Sequence, residues 1–369
     1  MNKGKMMNTQ LGVIEGFYGE AWSWGERADY AGFLKKHGFS FYIYAPKADG
    51  YLRKKWREPF PKVLEEKLAR LAGQCHSAGL EFGVGFSPYE IYLSEFDLEV
   101  KRLLQHRLDV FNRIGVDKLG ILMDDMKGDL PDLAGRQIEI VNWIAARSNA
   151  KQFVFCPTYY SLDPVLEKLF GKMPAGYFEK LGKELDKKVS MFWTGELVCS
   201  KSYTPEHLNA TAEKLGRKPF LWDNYPVNDG PRMCKFLHLR PVTGRPAGMG
   251  GCLSAHAVNP MNQAALSKIV LLTLKAGFEK GAAYNPGKAF RKAAGMVTCH
   301  DMALLLERDL PAFADKGLDA LTDEEKGALK DDYASFLESH ENDTAQAARE
   351  VIDWLSGRYT VTKDLFLTQ

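Results

Sequence analysis

Long apolar runs are missing from this 369-residue chain. Nowhere do about 18 apolar residues follow one another, the length a bilayer-spanning helix needs. An excess of one charge is missing too, with 49 Lys plus Arg against 47 Asp plus Glu. That balance argues against nucleic acid or an anionic membrane as a partner. Histidine is scarce and scattered, 8 in all, with no H-x-H after the first apolar segment and no Cys/His ligand spacing. The 6 cysteines (Cys75, Cys156, Cys199, Cys234, Cys252 and Cys299) stand far apart without a C-x-x-C. They are expected to be reduced packing thiols of a cytoplasmic protein, Cys156 and Cys199 included. Gly16 and Gly19 do not make the G-x-G-x-x-G turn of a dinucleotide site, and there is no G-x-S-x-G elbow. The first ten residues carry charge but no apolar signal-peptide core. No cofactor and no metal are expected.

What remains is an ordinary globular composition, 45% hydrophobic and 12% aromatic, enough for a large core. Eight apolar, β-prone runs recur: Gly12–Phe17, Ser40–Ala45, Glu81–Phe86, Lys118–Met123, Gln152–Cys156, Val189–Trp193, Pro219–Trp222 and Gly251–Ala257. Helical segments alternate with them: Arg27–His37, Lys62–Ala78, Phe96–Ile114, Ala134–Arg147, Pro205–Leu215 and Asn262–Lys275. Several carry Pro at the start or Gly at the stop. The repeat of strand plus helix predicts an α/β fold, a closed (β/α)₈ TIM barrel over residues 11–285. An open doubly wound sheet would want the Gly-rich turn that is absent. Residues 1–10 are an N-terminal extension. Residues 286–369 read as a C-terminal helical appendage, with a capping box at Thr322 to Glu325 and packing faces at Phe336, Ile352, Trp354 and Leu355.

In such a barrel, functional groups gather where strands end. The fourth run ends in Asp124-Asp125, two carboxylates that cannot continue into an apolar core. Successive strand residues face opposite ways, so both can serve one ligand only if the backbone turns there. A lone Asp-Asp pair is ordinarily a solvated turn or a helix cap; the other strand ends change that reading. They present Glu15 to Tyr18, Tyr44 to Lys47, Ser87 to Glu90, Pro157 to Tyr160, Trp193 to Glu196, Trp222 to Asp229 and His256 to Pro260. Aromatic walls among carboxylates and amides suit a neutral polyhydroxylated ligand, a sugar. Lys47 after a strand would also fit a Schiff-base lysine, but the charged stretch around it speaks against the desolvated pocket this needs.

These segments, in this order, resemble family 84 glycoside hydrolases, the retaining β-N-acetylglucosaminidases that include protein O-GlcNAcases. The matching motifs are Gly12-Val-Ile-Glu-Gly-Phe-Tyr-Gly19, Tyr44-Ala-Pro-Lys47, Trp56-Arg-Glu-Pro59 and Asp124-Asp125. Cys156-Pro-Thr158 followed by Tyr160, Phe192-Trp-Thr-Gly195, Trp222-Asp-Asn224 through Asn228-Asp229, and Asn259-Pro260 complete them. The resemblance implies that Asp124 orients the substrate's 2-acetamido group, whose oxygen attacks the anomeric carbon to give an oxazoline, an exception to the two-carboxylate scheme. Asp125 would be general acid, then base. Tyr160 would position the acetamido oxygen, Trp222 would wall the group in, and Asn224 would support that site or Asp124. Asp229 would hold the sugar's 4- and 6-hydroxyls; Asn259, Lys47 and the Gly16 carbonyl would be further hydroxyl contacts. The implied partner is a β-GlcNAc glycoside or glycoprotein.

Two features depart from the family's pattern. Ala48-Asp49 stands where two acids are common, and Leu52 where a histidine is. Rival readings are therefore a hexosaminidase for another amino sugar, such as GalNAc, and a non-catalytic sugar-binding homologue. Other residues have structural readings: Trp56 and Trp193 in packing, Tyr159 in packing or cleft lining, Asp223 as a hydrogen-bond acceptor. Glu15, a charge inside a strand, needs a partner within the barrel.

Overall fold

The computed structural model describes residues 9–362. Eight parallel strands, β1 (Leu11–Glu15), β2 (Phe41–Tyr44), β3 (Glu81–Phe86), β4 (Lys118–Leu122), β5 (Gln152–Cys156), β6 (Val189–Trp193), β7 (Phe220–Asp223) and β8 (Ala255–Val258), pair in sequence order, and β8 returns to β1. The α/β TIM barrel read from the sequence is therefore the fold. Most of the extension assigned to residues 1–10 lies outside the described residues.

Helices α1 (Trp24–Lys36), α2 (Lys62–Ala78), α3 (Leu98–Ile114), α4 (Leu133–Ala145), α5 (Pro164–Phe170), α6 (Tyr177–Glu184), α7 (Pro205–Leu215) and α8 (Ala264–Lys280) wrap the strands. Local signals set their ends. Asp97 and Thr204 accept N–H groups at the starts of α3 and α7, while Gly79, Gly115 and Gly216 close α2, α3 and α7 in the left-handed region. Helices α5 and α6 escape a periodicity reading because each is only two turns long. The eighth strand is shorter than its apolar run: residues 247–252 wind as a 3₁₀ segment, and pairing starts at Ala255.

The barrel interior is apolar, with Ile14, Phe41, Ile43, Leu122, Val154, Phe192, Phe220, Trp222 and Ala257 in contact. At its N-terminal end Lys118, fully buried, is held by Glu81 at 2.9 Å and by Gln10 and Gln152. Between the strands and the outer helices, Glu15 takes a two-pronged bond from Arg27 (2.8 and 2.7 Å) and a third from Tyr42 Oη. That cluster supplies the partner its position demands.

Beyond the barrel come α9 (Pro286–Val297), α10 (His300–Leu310), α11 (Asp323–Ser339) and α12 (Asp343–Leu355). The capping box at Thr322 and Glu325 is present. These helices share one continuous core with the barrel, Trp354 and Leu355 included, while Phe336 and Ile352 pack against it half-buried. Helix α12 also reaches the face where the strands end. Glu350 Oε1 and Oε2 accept the backbone N–H groups of Ala265 and Leu266 (2.9 Å each), capping α8, whose own N-cap residue Gln263 makes no side-chain capping bond. Arg358 clasps Glu20 after β1 (2.6 and 3.0 Å), and Trp354 Nε1 donates to Cys234 O after β7 (3.1 Å). No helix among the described residues is long and apolar enough to cross a membrane.

Candidate active site

Strand periodicity carries the inward-facing register one step past the last apolar layer. Ile14 leads to Gly16, Ala45 to Lys47, Leu122 to Asp124, Trp222 to Asn224 and Ala257 to Asn259. These residues, with Asp125, Tyr160, Trp222 and Asp229, line one cleft of about 280 Å³ at the C-terminal end of the barrel. All nine residues singled out in the sequence are brought together there.

Asp124 is 5% exposed. Lys47 Nζ donates to its Oδ2, while its Oδ1 is buried without a partner among the described residues. Asp125, the next residue, has φ of +55°, in the left-handed region that non-glycine residues seldom occupy. This is the turn that two consecutive carboxylates need in order to face one ligand. Asp125 is the more open of the two: its Oδ2 accepts from Tyr18 Oη (2.7 Å), its Oδ1 from Tyr160 Oη (3.4 Å), and Lys47 Nζ lies 3.8 Å away. Burial, with the Asp125 charge beside each, pushes both tyrosine hydroxyls well up, so they stay protonated donors.

The opposite wall is cross-tied. Trp222 Nε1 and Asn259 Nδ2 both donate to Asn224 Oδ1 (3.0 Å each), Asn224 Nδ2 donates to Val198 O (2.9 Å), and Gly16 N donates to Asn259 Oδ1 (3.2 Å). Asn224 thus serves the wall; it makes no bond to Asp124. Gly16 has to be glycine because a methyl group there would overlap the Trp222 ring. Asp229, half-buried, accepts from the Tyr18 backbone N–H (2.8 Å), and burial pushes its carboxyl up to about 6.

Several neighbours have structural duties. Asp223 sits on the outward phase, bound by Arg245 (2.7 and 3.0 Å) and near His256 (3.1 Å) and Tyr203 (3.3 Å). Burial opposes its charge, but Arg245 and His256 hold its carboxyl well below the usual range. Trp56, Trp193 and Tyr159 are buried, and Tyr159 Oη donates to Gly171 O (2.6 Å). Cys156 is buried against the cleft, and burial together with the Asp124 charge pushes its thiol well up, a poor setting for a nucleophile. Cys199 corrects the packing expectation: it is exposed at the cleft mouth, on a loop that leaves the barrel before β7. Asp49, in the altered loop, accepts from Tyr44 Oη and the Tyr51 N–H and so shapes the 3₁₀ turn that ends at buried Leu52.

Sequence reasoning overlooks Tyr18 and Arg53. Tyr18 bonds both Asp125 and Asp229, and Arg53 Nη2 approaches Tyr18 Oη at 3.4 Å. Both lie inside or beside quoted motifs, but nothing in their spacing tells which aromatic or cation turns inward.

A TIM barrel carrying adjacent carboxylates within aromatic and amide walls defines a carbohydrate-processing protein of the glycosidase kind. Residues 11–310 match the β-N-acetylglucosaminidase family, and the chain belongs to that family. It is 28% identical to the protein O-GlcNAcases of Rattus norvegicus and Mus musculus over 272 residues, 71% of this chain. The chain spans about 29% of the length of these curated relatives. A mutant of the Thermobaculum terrenum O-GlcNAc hydrolase superposes with a TM-score of 0.76 at 28% identity, covering 96% of this chain and 82% of that one. CpGH84B superposes at 0.74 and 23% identity over 96% and 67%, a likeness of fold.

Proposed function

We propose that this chain is a retaining exo-β-N-acetylglucosaminidase that hydrolyses terminal β-linked GlcNAc with the help of the substrate's own 2-acetamido group. The observation that carries the reading is the split environment of the two aspartates. Asp124 has one oxygen committed to Lys47 and one buried oxygen without a donor, the geometry that would accept an acetamido N–H. Held in that bond, the acetamido carbonyl oxygen would attack the anomeric carbon and form an oxazoline. Asp125, more open and oriented by two tyrosine hydroxyls, would protonate the departing oxygen and then take a proton from the incoming water. Tyr160 would steer the acetamido oxygen, and Trp222, kept upright by Asn224, would shield the group from water. Asp229, Asn259, Lys47 and the Gly16 carbonyl would read the sugar hydroxyls.

The test is the initial rate with EDTA present on aryl β-GlcNAc, aryl β-GalNAc and aryl β-glucoside. Release from the GlcNAc compound and none from the glucoside supports the reading. Faster release from the GalNAc compound would move the sugar preference. Tight binding of an oxazoline mimic with no release from any of the three would make the chain a sugar-binding protein.

A further inference from the structure

Four large apolar side chains that stand in solvent belong to two adjoining loops at one edge of the cleft: Leu162 (48% exposed), Val165 (37%), Leu169 (59%) and Leu197 (47%). Val165 and Leu169 are four apart on α5, so they share a face, and both line the cleft, with buried Leu166 lining its floor between them. Val198 and Met233 continue the apolar lining beside them.

The lip is firmly mounted. Asp163 caps α5 by accepting from Val165 N (3.0 Å) and ties in the second loop by accepting from Val198 N (3.0 Å). The end of α5 is bonded to the loop that follows the catalytic aspartates, Gly128 N to Phe170 O (2.7 Å). The lip therefore adjoins the segment that carries the proposed acid, where a leaving group departs. Several of its polar side chains are turned to backbone duties: both Asp163 oxygens as above, Glu167 on Met173 N (3.1 Å), and the Asn224 amide on Val198 O, while Lys168 and Glu196 stand exposed at its outer rim. A peptide or second sugar lying there would bring N–H, C=O or hydroxyl groups to a surface with few partners for them. An alkyl or aryl group would lose only water.

Building on the glycosidase reading, we propose that this lip is an aglycone site for small apolar groups, so that the enzyme prefers alkyl or aryl β-GlcNAc glycosides to GlcNAc on a sugar or a peptide.

The test uses methyl, butyl and octyl β-GlcNAc, whose alkanol leaving groups are of matched basicity, beside GlcNAc-β-1,4-GlcNAc and a GlcNAc-serine peptide, whose leaving hydroxyls are more acidic. kcat/KM is expected to rise about tenfold or more from methyl to octyl and to exceed the values for the disaccharide and the peptide. Leu169→Asp and Val165→Asp should each bring the octyl-to-methyl ratio close to one. A flat series, or a preference for disaccharide or peptide, overturns the aglycone site while leaving the glycosidase reading intact. Absence of turnover on every β-GlcNAc compound, methyl included, overturns that reading itself. Should the Asp variants turn a dimer into a monomer on size exclusion with the ratio unchanged, the lip is a contact between copies and the proposal fails.

Discussion

Lys47 and Asp124 face each other from the ends of β2 and β4, and their ion pair occupies one carboxylate oxygen while leaving the other buried and unbonded. An arrangement that saturates half of a carboxylate makes the remaining half a directional acceptor. Asp124→Asn should therefore keep the fold yet lower kcat/KM by about 10²-fold or more, because an amide placed there can turn an N–H against the acetamido N–H. Circular dichroism with initial rates on aryl β-GlcNAc checks both halves of that statement.

Asp125→Asn removes the proton donor. Activity on alkyl β-GlcNAc should fall by about 10²- to 10⁴-fold, whereas an aryl glycoside with an activated leaving group should be partly spared in its first step. Equal loss on both substrates would contradict the acid role.

Gly16→Ala tests the aromatic wall. A methyl group at Gly16 must push the Trp222 ring aside, which also breaks the ring's bond to Asn224. A rise in KM by about tenfold or more is expected together with a lower Tm, since forcing a group into a packed site costs about 1–3 kcal/mol of stability.

Asp229 gives a pH signature. Its carboxyl is pushed up to about 6, so the charged acceptor form fades as pH falls through that value. KM should rise below about pH 6, and Asp229→Asn should raise KM at neutral pH while removing that inflection.

Glu350 gives another, in stability. Burial pushes its carboxyl up to about 8 against the two N–H groups it accepts. The folded chain then holds a proton that the unfolded chain has already lost, so Glu350's contribution to stability is full below the unfolded carboxyl range and declines as pH rises through that value. Tm should drop between about pH 5 and about pH 8, and Glu350→Gln should flatten the slope. Because α8 follows directly on Asn259 and Asn262, loss of the cap should also disturb the cleft. Asn262 Nδ2 holds the carbonyls of Tyr18 and Glu20 (3.0 and 2.9 Å).

The barrel was legible because each of its strands is a contiguous apolar run and most of its long helices carry their own start or stop residue. The site was legible where period-two register extends into polar residues, as from Leu122 to Asp124 or from Ala257 to Asn259. What escaped depends on contacts far apart in the chain. The partner of Glu15 lies on a helix, Tyr18 turns towards Asp125 across 107 positions, and Glu350 caps a helix 85 positions away. Asn224 shows the same limit, since its place on a strand end says nothing of whether it bonds Asp124 or Trp222.

Participation of the acetamido oxygen is tested most directly by a series of aryl glycosides whose N-acetyl group carries no, one, two or three fluorines. Fluorine withdraws electron density from the carbonyl oxygen and leaves the sugar and the leaving group unchanged. If that oxygen is the nucleophile, kcat/KM falls steeply with each fluorine added. A flat series would mean that an enzyme group or water attacks instead, and Asp124 would then need a different role.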